Sequence, residues 1–131
     1  SKKNALVLGT GGASKAILYA LKSLNYKVTR VSRVKKEGIT TYAELNKEVM
    51  IQNQLIINCT PLGTFPNIEK YPSIPYQYVT KNHLMFDLTY NPLETMFIKL
   101  SKEQGARVSN GLKMLEFQAE EAWSIWKAKN I

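Results

Sequence analysis

Ala5-Leu6-Val7-Leu8-Gly9-Thr10-Gly11-Gly12-Ala13-Ser14 is the stretch on which the fold turns. Four apolar residues closed by a glycine predict a short strand buried on both faces. Past the glycines, Ala13, Ala16, Ile17, Ala20, Leu21 and Leu24 recur at helical spacing, and Asn25 stands where that helix should stop. Lys27 to Ser32 then predicts a second strand. Strand, helix and strand within about 30 residues make a βαβ unit, which requires a parallel pair and a right-handed crossover.

The alternation continues along the chain. Ile39 to Tyr42 predicts a short strand, Ala43 to Met50 a short helix, and Leu55 to Cys59 another buried strand. Between Pro61 and Asn82 lie four of the five prolines, so an irregular loop is expected there. Leu84 to Leu88 is the next strand. Pro92 suits the first turn of a helix presenting Leu93, Met96, Phe97 and Leu100 on one face, with Gly105 as its stop. Arg107-Val108-Ser109 reads as a last strand, followed by a long helix from about Leu112 to Lys129 with an apolar stripe of Leu112, Leu115, Ala119, Ala122 and Trp126. Repeated β then α predicts an α/β, doubly wound, Rossmann-like sheet, mostly parallel, of about six strands with helices on both faces. Residues 1–131 suit a single domain.

The glycine turn carries the first chemical inference. Gly9 permits a tight turn, and Gly11 lets a pyrophosphate approach the backbone with no Cβ in the way. The helix behind them offers unpaired N–H groups and a positive dipole end. Ser14 occupies the usual place of a third glycine and is still small enough for close packing. A lone glycine pattern is weak, but this one has the strand before and the helix after that a dinucleotide site requires. Which dinucleotide is decided at the end of the second strand. An NAD site normally offers Asp or Glu there to the ribose 2′-hydroxyl. This chain has Ser32-Arg33-Val34-Lys35-Lys36, with no acid before Glu37. A guanidinium fits a 2′-phosphate bidentately, which favours NADP.

Composition narrows the alternatives. The net charge of +8 invites a nucleic-acid reading, but the 18 Lys and Arg are scattered, and a basic domain serves an anionic small molecule equally well. No apolar run approaches the roughly 18 residues of a spanning helix, and Ser1 to Asn4 leads straight into a strand, so neither membrane nor signal peptide is expected and the cytoplasm is the default. One cysteine, Cys59, excludes an internal disulfide, and with the single histidine, His83, it cannot make a zinc site; no metal is expected. Cys59 reads as a small buried hydrophobe. His83 reads as a surface or capping residue rather than a general base, Asp87 as the anchor of a turn, and Trp123 and Trp126 as core or domain-contact residues.

Three further segments follow strand ends: Asn58-Cys59-Thr60-Pro61-Leu62-Gly63, Asp87-Leu88-Thr89-Tyr90-Asn91-Pro92, and Asn110-Gly111-Leu112-Lys113-Met114-Leu115-Glu116-Phe117-Gln118. Open α/β sheets bind ligands at that carboxyl edge. Together with the glycine turn, Asn-x-Thr-Pro-x-Gly, Asp-x-x-Tyr-x-Pro-x-x-Thr and Asn-Gly-x-x-Met-Leu-x-x-Gln resemble the shikimate dehydrogenase family over nearly the whole chain. The resemblance implies reversible, NADPH-dependent reduction of 3-dehydroshikimate to shikimate. It implies that Gly9, Gly11, Gly12, Ala13 and Ser14 line the pyrophosphate, and that Ser32, Arg33 and Lys36 hold the 2′-phosphate. Thr60, Leu88, Gly111 and Met114 would surround the nicotinamide end, with Tyr90 and Gln118 facing the substrate. Two positions depart from the family. Ser32-Arg33-Val34 stands where Asn-Arg-Thr is frequent, losing one hydroxyl, and Thr64 stands where a methionine commonly follows the glycine. The family's catalytic lysine and aspartate belong to an N-terminal substrate domain with no counterpart here, so no catalytic residue is expected in this chain. A quinate/shikimate variant, another Rossmann reductase and a free-standing NADP-binding or sensing module are the competing expectations.

Overall fold

Leu6 and Leu8 of strand β1 (Asn4–Leu8) pack to one side of the sheet while Ala5 and Val7 pack to the other, all four fully buried. This two-sided burial is what a parallel strand covered on both faces requires. The computed structural model describes residues 3–89 and 91–111. Within them helix α1 spans Gly12–Ser23, β2 Lys27–Ser32, β3 Ile39–Thr41, α2 Lys47–Gln52, β4 Leu55–Asn58, β5 Leu84–Asp87, α3 Met96–Glu103 and β6 Arg107–Ser109. The six strands form one sheet in the order β3-β2-β1-β4-β5-β6, every neighbouring pair parallel. The expected α/β doubly wound architecture is therefore present, with the strand order reversing between β1 and β4.

Both faces carry a core. Ile17 and Leu21 of α1 pack with Ala5, Val7 and Ile57. On the opposite face Leu6, Leu8, Val31, Ile56 and Met85 meet Met50 of α2 and Phe97 and Ile98 of α3. Each of these side chains larger than alanine contributes about 1.5–3 kcal/mol on full burial.

Both expected helix stops act by the same device. Asn25 takes φ 66°, the Asn25 N–H donates to the Lys22 carbonyl and the Tyr26 N–H reaches back to Leu21 at 2.9 Å. Gly105, at φ 84°, repeats the pattern with Lys102 and Ser101. A left-handed residue after the helix lets the chain satisfy its last carbonyls.

Three local expectations are corrected. The helix expected over Ala43 to Met50 is split: a single 3-10 turn covers Tyr42–Glu44, and α2 begins at Lys47 because the Asn46 side chain caps it, accepting from Val49 N at 2.9 Å. Pro92 does not open α3. Thr95 caps that helix instead, its hydroxyl oxygen accepting from Ile98 N at 3.3 Å, and Leu93 is left exposed before it. His83 is fully buried rather than at the surface. Its Nδ1 accepts from the Thr80 N–H at 3.0 Å, so Nε2 carries the proton and donates to the Met50 carbonyl at 2.7 Å. Both ring nitrogens are spent on main chain, which fits a structural role.

The segment from Pro61 to Asn82 is irregular as expected, with one 3-10 turn at Tyr76–Tyr78. It is pinned by its aromatics: the Tyr76 hydroxyl donates to Pro72 O at 2.8 Å, and the ring packs edge-on against Tyr71 and Phe97. Among the described residues no helix is long and apolar enough to cross a membrane. The helix expected from Leu112 to Lys129, with Trp123 and Trp126, lies outside the described residues.

Candidate dinucleotide site

The parallel register brings the ends of four strands into line. Leu8 lies opposite Val31 on one side and Asn58 on the other, and Asn58 lies opposite Asp87. Residues directly after these ends are then tied across the edge. Gly9 N–H donates to Val31 O at 2.8 Å, Cys59 N–H to Leu8 O at 2.9 Å and Leu88 N–H to Asn58 O at 3.2 Å. Gly9, Ser32, Thr60, Leu88 and Gly111 thus share the carboxyl edge, where doubly wound sheets bind ligands. From β2 to β5 is three strand spacings, roughly 14 Å, so the site is elongated.

The three glycines of the turn are of two kinds. Gly9 takes φ 102°, and a Cβ there would press on Thr60 Cγ2 at 3.2 Å and on the Cys59 carbonyl at 3.3 Å. Gly9 is therefore required by the fold. Gly11 and Gly12 are exposed, and a Cβ at either would meet no heavy atom within 4 Å. Those hydrogens face open space over the start of α1, which no side chain caps and no acidic residue occupies in its first turn. The Gly12 and Ala13 N–H groups precede the first helical acceptors and have none within the helix. An anionic pyrophosphate fits this cradle.

Ser14 meets the close packing expected of a small residue at the third-glycine place. It is fully buried, and its N–H and its hydroxyl both donate to Gly11 O, at 3.1 and 2.6 Å. Its role in this geometry is to pin the turn from beneath, while Ala13 is exposed.

At the β2 end Ser32 is half-buried, and Arg33 and Lys36 are exposed. Lys35, in the same basic run, is engaged by the Glu44 carboxylate at 3.1 Å. The Thr41 N–H and hydroxyl donate to the same carboxylate, at 2.9 and 3.0 Å. These donors, the Thr41 N–H foremost, hold the Glu44 carboxyl at a pKa of about 2. Among the described residues neither Arg33 nor Lys36 makes an ion pair. Burial pushes the Tyr42 phenol up, and the nearby Arg33 charge acts against that rise. The Thr41-x-x-Glu44 spacing ahead of Leu45 was the available sequence signal for this cluster.

At the other end Gly111 is buried against Leu88. A Cβ there would overlap the Leu88 carbonyl oxygen and lie 2.6 Å from its carbon. Between the ends sits a hydrogen-bonded group outside the expected site residues. Asp87 is fully buried and accepts from Thr95 Oγ1 at 2.7 Å, Thr89 N at 3.0 Å and Asn58 Nδ2 at 3.3 Å. Burial pushes its carboxyl up, against these three donors. Asn58 Oδ1 accepts in turn from the N–H and hydroxyl of Thr60. Burial raises the Cys59 thiol to about 12, with Asp87 adding to the effect, which suits an inert thiol. Tyr90, Met114 and Gln118 lie outside the described residues.

Comparison with known proteins gives this edge a family context. The chain is 36% identical, over a 141-residue alignment, to the shikimate dehydrogenase (NADP(+)) of Methanococcus maripaludis, covering 95% of this chain and 49% of that protein. The chain is a homologue of the shikimate dehydrogenases. Among solved structures, a chorismate mutase/shikimate 5-dehydrogenase fusion protein from Clostridium acetobutylicum superposes with a TM-score of 0.75 at 34% identity, over 96% of this chain and 48% of that one. The shikimate 5-dehydrogenase of Thermus thermophilus, solved in complex with NADP(H) and shikimate, superposes with a TM-score of 0.72 at 29% identity, over 97% and 50%. No protein-family model matches the chain. The chain spans about half the length of the shikimate dehydrogenases it matches.

Proposed function

We propose that residues 1–131 are the NADP(H)-binding domain of a shikimate dehydrogenase, and that the whole enzyme interconverts 3-dehydroshikimate and shikimate in the cytoplasm. The observation that carries the reading is the open cradle at Gly11 and Gly12. It lies over an uncapped helix start, on one sheet edge with Arg33 and Lys36, which make no ion pair among the described residues, at one end and the Leu88–Gly111 contact at the other. The homology to NADP(+) shikimate dehydrogenases supports it.

In this reading the backbone at Gly11, Gly12 and Ala13 holds the pyrophosphate, and Gly9 and Ser14 shape the turn. Ser32 and Arg33, with Lys36, receive the 2′-phosphate. Thr60, Leu88, Gly111 and Met114 form the wall for the nicotinamide end, and Tyr90 and Gln118 orient the substrate. When bound, the cofactor supplies the hydride. The proton on the substrate oxygen is handled by the lysine–aspartate pair of a separate substrate domain, the small-molecule substrate lying between the two domains.

The test is a fluorescence titration of the chain with NADPH and NADH side by side. NADPH should bind more tightly, and Arg33→Ala should cost about 1.5–3 kcal/mol toward NADPH and little toward NADH, the range of a charged hydrogen bond. Equal weakening toward both would show that Arg33 does not read the 2′-phosphate.

A further inference from the structure

We infer that Asp87 and Asn58 form a positioning pair that fixes how Thr60 is presented to the cofactor. The inference rests on the dinucleotide reading above and assigns work to two residues which that reading leaves idle. The two side chains end adjacent strands, β5 and β4, directly opposite each other, and both are fully buried.

The argument is one of donors and acceptors. An ionised carboxylate only accepts, at both oxygens. With Thr95, Thr89 and Asn58 all donating to Asp87, the Asn58 amide can present only its NH2 group on that side. Its carbonyl oxygen is thereby turned the other way, where it accepts from Thr60 N at 3.0 Å and Thr60 Oγ1 at 2.6 Å. Thr60 Oγ1 also accepts from Leu62 N at 3.3 Å. With its hydroxyl held, Thr60 sets its methyl beside Gly9, 3.2 Å from where a Cβ on that glycine would stand. The carboxylate on β5 thus reaches, through one amide, the wall of the glycine turn on β1.

A neutral acceptor would be less costly to bury than a carboxylate. What the carboxylate adds is that neither oxygen can donate, so the Asn58 amide has one permitted orientation. The same carboxylate holds both the Thr89 N–H and Thr95, the cap of α3, so the connection between β5 and α3 is anchored at its two ends to one group. Asp87 and Asn58 are positioning residues: neither need touch the cofactor.

The experiment is a swap in the full chain: Asp87→Asn, Asn58→Asp and the double variant, each titrated with NADPH and followed at the Thr60 backbone amide by NMR. In Asp87→Asn two NH2 groups face each other, the Asn58 amide turns over, the Thr60 amide resonance moves and NADPH affinity falls roughly tenfold, the loss of about one hydrogen bond. Asn58→Asp sets two carboxylates together and binds more weakly still. In the double variant the carboxylate, now on β4, accepts from Thr60 and from the amide, now on β5. That amide's carbonyl still accepts from Thr89, and the Thr95 hydroxyl turns its hydrogen away. Affinity within about threefold of the unmodified chain and a restored Thr60 resonance are expected.

Unchanged affinity in Asp87→Asn, or a double variant no better than the single ones, overturns the pairing. Should Asp87→Asn fail to fold, a folded, binding double variant still supports the pair, and an unfolded one overturns it. An unmodified chain that binds no NADPH would instead overturn the dinucleotide reading. The Thr60 resonance would then still report on the pair.

Discussion

Gly11 and Gly111 stand on the same sheet edge, yet the structure predicts opposite outcomes when each is changed to alanine. At Gly11 the backbone is at φ −75° and ψ −171°, a conformation open to any residue, and the new Cβ meets nothing within 4 Å. Alanine caps a helix less well than glycine, and it also reduces the entropy of the unfolded chain by about 0.4–1 kcal/mol, so the two effects nearly offset. The expected stability change is within about 1 kcal/mol. The methyl group does, however, project into the space assigned to the pyrophosphate. Displacing the phosphates from one backbone N–H costs about 1.5–3 kcal/mol, roughly a ten- to hundredfold loss of NADPH affinity.

At Gly111 the methyl would overlap the Leu88 carbonyl, and that carbonyl cannot move freely. The Leu88 N–H is bonded to Asn58 O at 3.2 Å, and the Gly111 N–H approaches Thr89 O. Overpacking against main chain belongs at the upper end of the usual 1–3 kcal/mol, so about 3 kcal/mol of stability should be lost. Urea denaturation of both variants measures the stability difference, and NADPH titration at a temperature where both are folded measures binding. A Gly11→Ala chain that binds as tightly as the unmodified one would refute the placement of the pyrophosphate. A Gly111→Ala chain of unchanged stability would refute the packing argument.

Three other expectations follow from the same geometry. The Glu44 carboxyl, lowered from the ordinary 4.5 to about 2, contributes stability that is present above pH 4.5 and lost as pH falls toward 2; Glu44→Gln should remove that part of the acid sensitivity, read as the pH dependence of the melting temperature. His83→Ala should cost about 1–3 kcal/mol in urea denaturation, since it strands the Met50 carbonyl inside the protein, and should leave NADPH affinity unchanged. Residues 1–131 by themselves should bind NADPH yet oxidise shikimate at a rate near background, because a base positioned on the substrate hydroxyl is worth about 10²–10⁴-fold and the second wall of the cleft more; turnover at an ordinary enzymatic rate by this stretch alone would sink the domain assignment.

Local chemistry was legible from the sequence wherever one segment contains its own explanation. The buried strand Ala5–Leu8, the stops at Asn25 and Gly105 and the glycine turn each depend on residues within a few positions of one another. Lateral chemistry was not legible. Asn58 meets Asp87 only because β4 and β5 pair in that register, and His83 meets Met50 across 33 positions. No periodicity encodes such a pairing. The misplaced start of α3 has the same origin: Pro92 is an acceptable first-turn residue, but Thr95 wins because Asp87, on another element, fixes its hydroxyl. The motif predicts that Ser14 is small enough for close packing, but only the Gly11 carbonyl beneath it shows where its hydroxyl goes.

The two ends of the site also differ in how freely they can change. Arg33 and Lys36 are exposed and make no ion pair among the described residues, so their replacement should leave stability within about 0.5 kcal/mol. The opposite end is cross-tied. Thr64, which stands where the family commonly has methionine, shares a hydrogen bond with Thr89 at 3.1 Å, and the Phe65 N–H donates to Asn91 O at 3.1 Å. The loops after β4 and β5 are therefore joined to each other as well as to Asp87. In the proposed reading, substitutions at Arg33 and Lys36 act on the choice of cofactor and spare the fold. Substitutions at Gly111, Asp87 or Asn58 act on the fold and the site together. In the proposed reading, a change of preference between NADP and NAD is thus accessible chiefly through the exposed Arg33 and Lys36, with the half-buried Ser32 beside them.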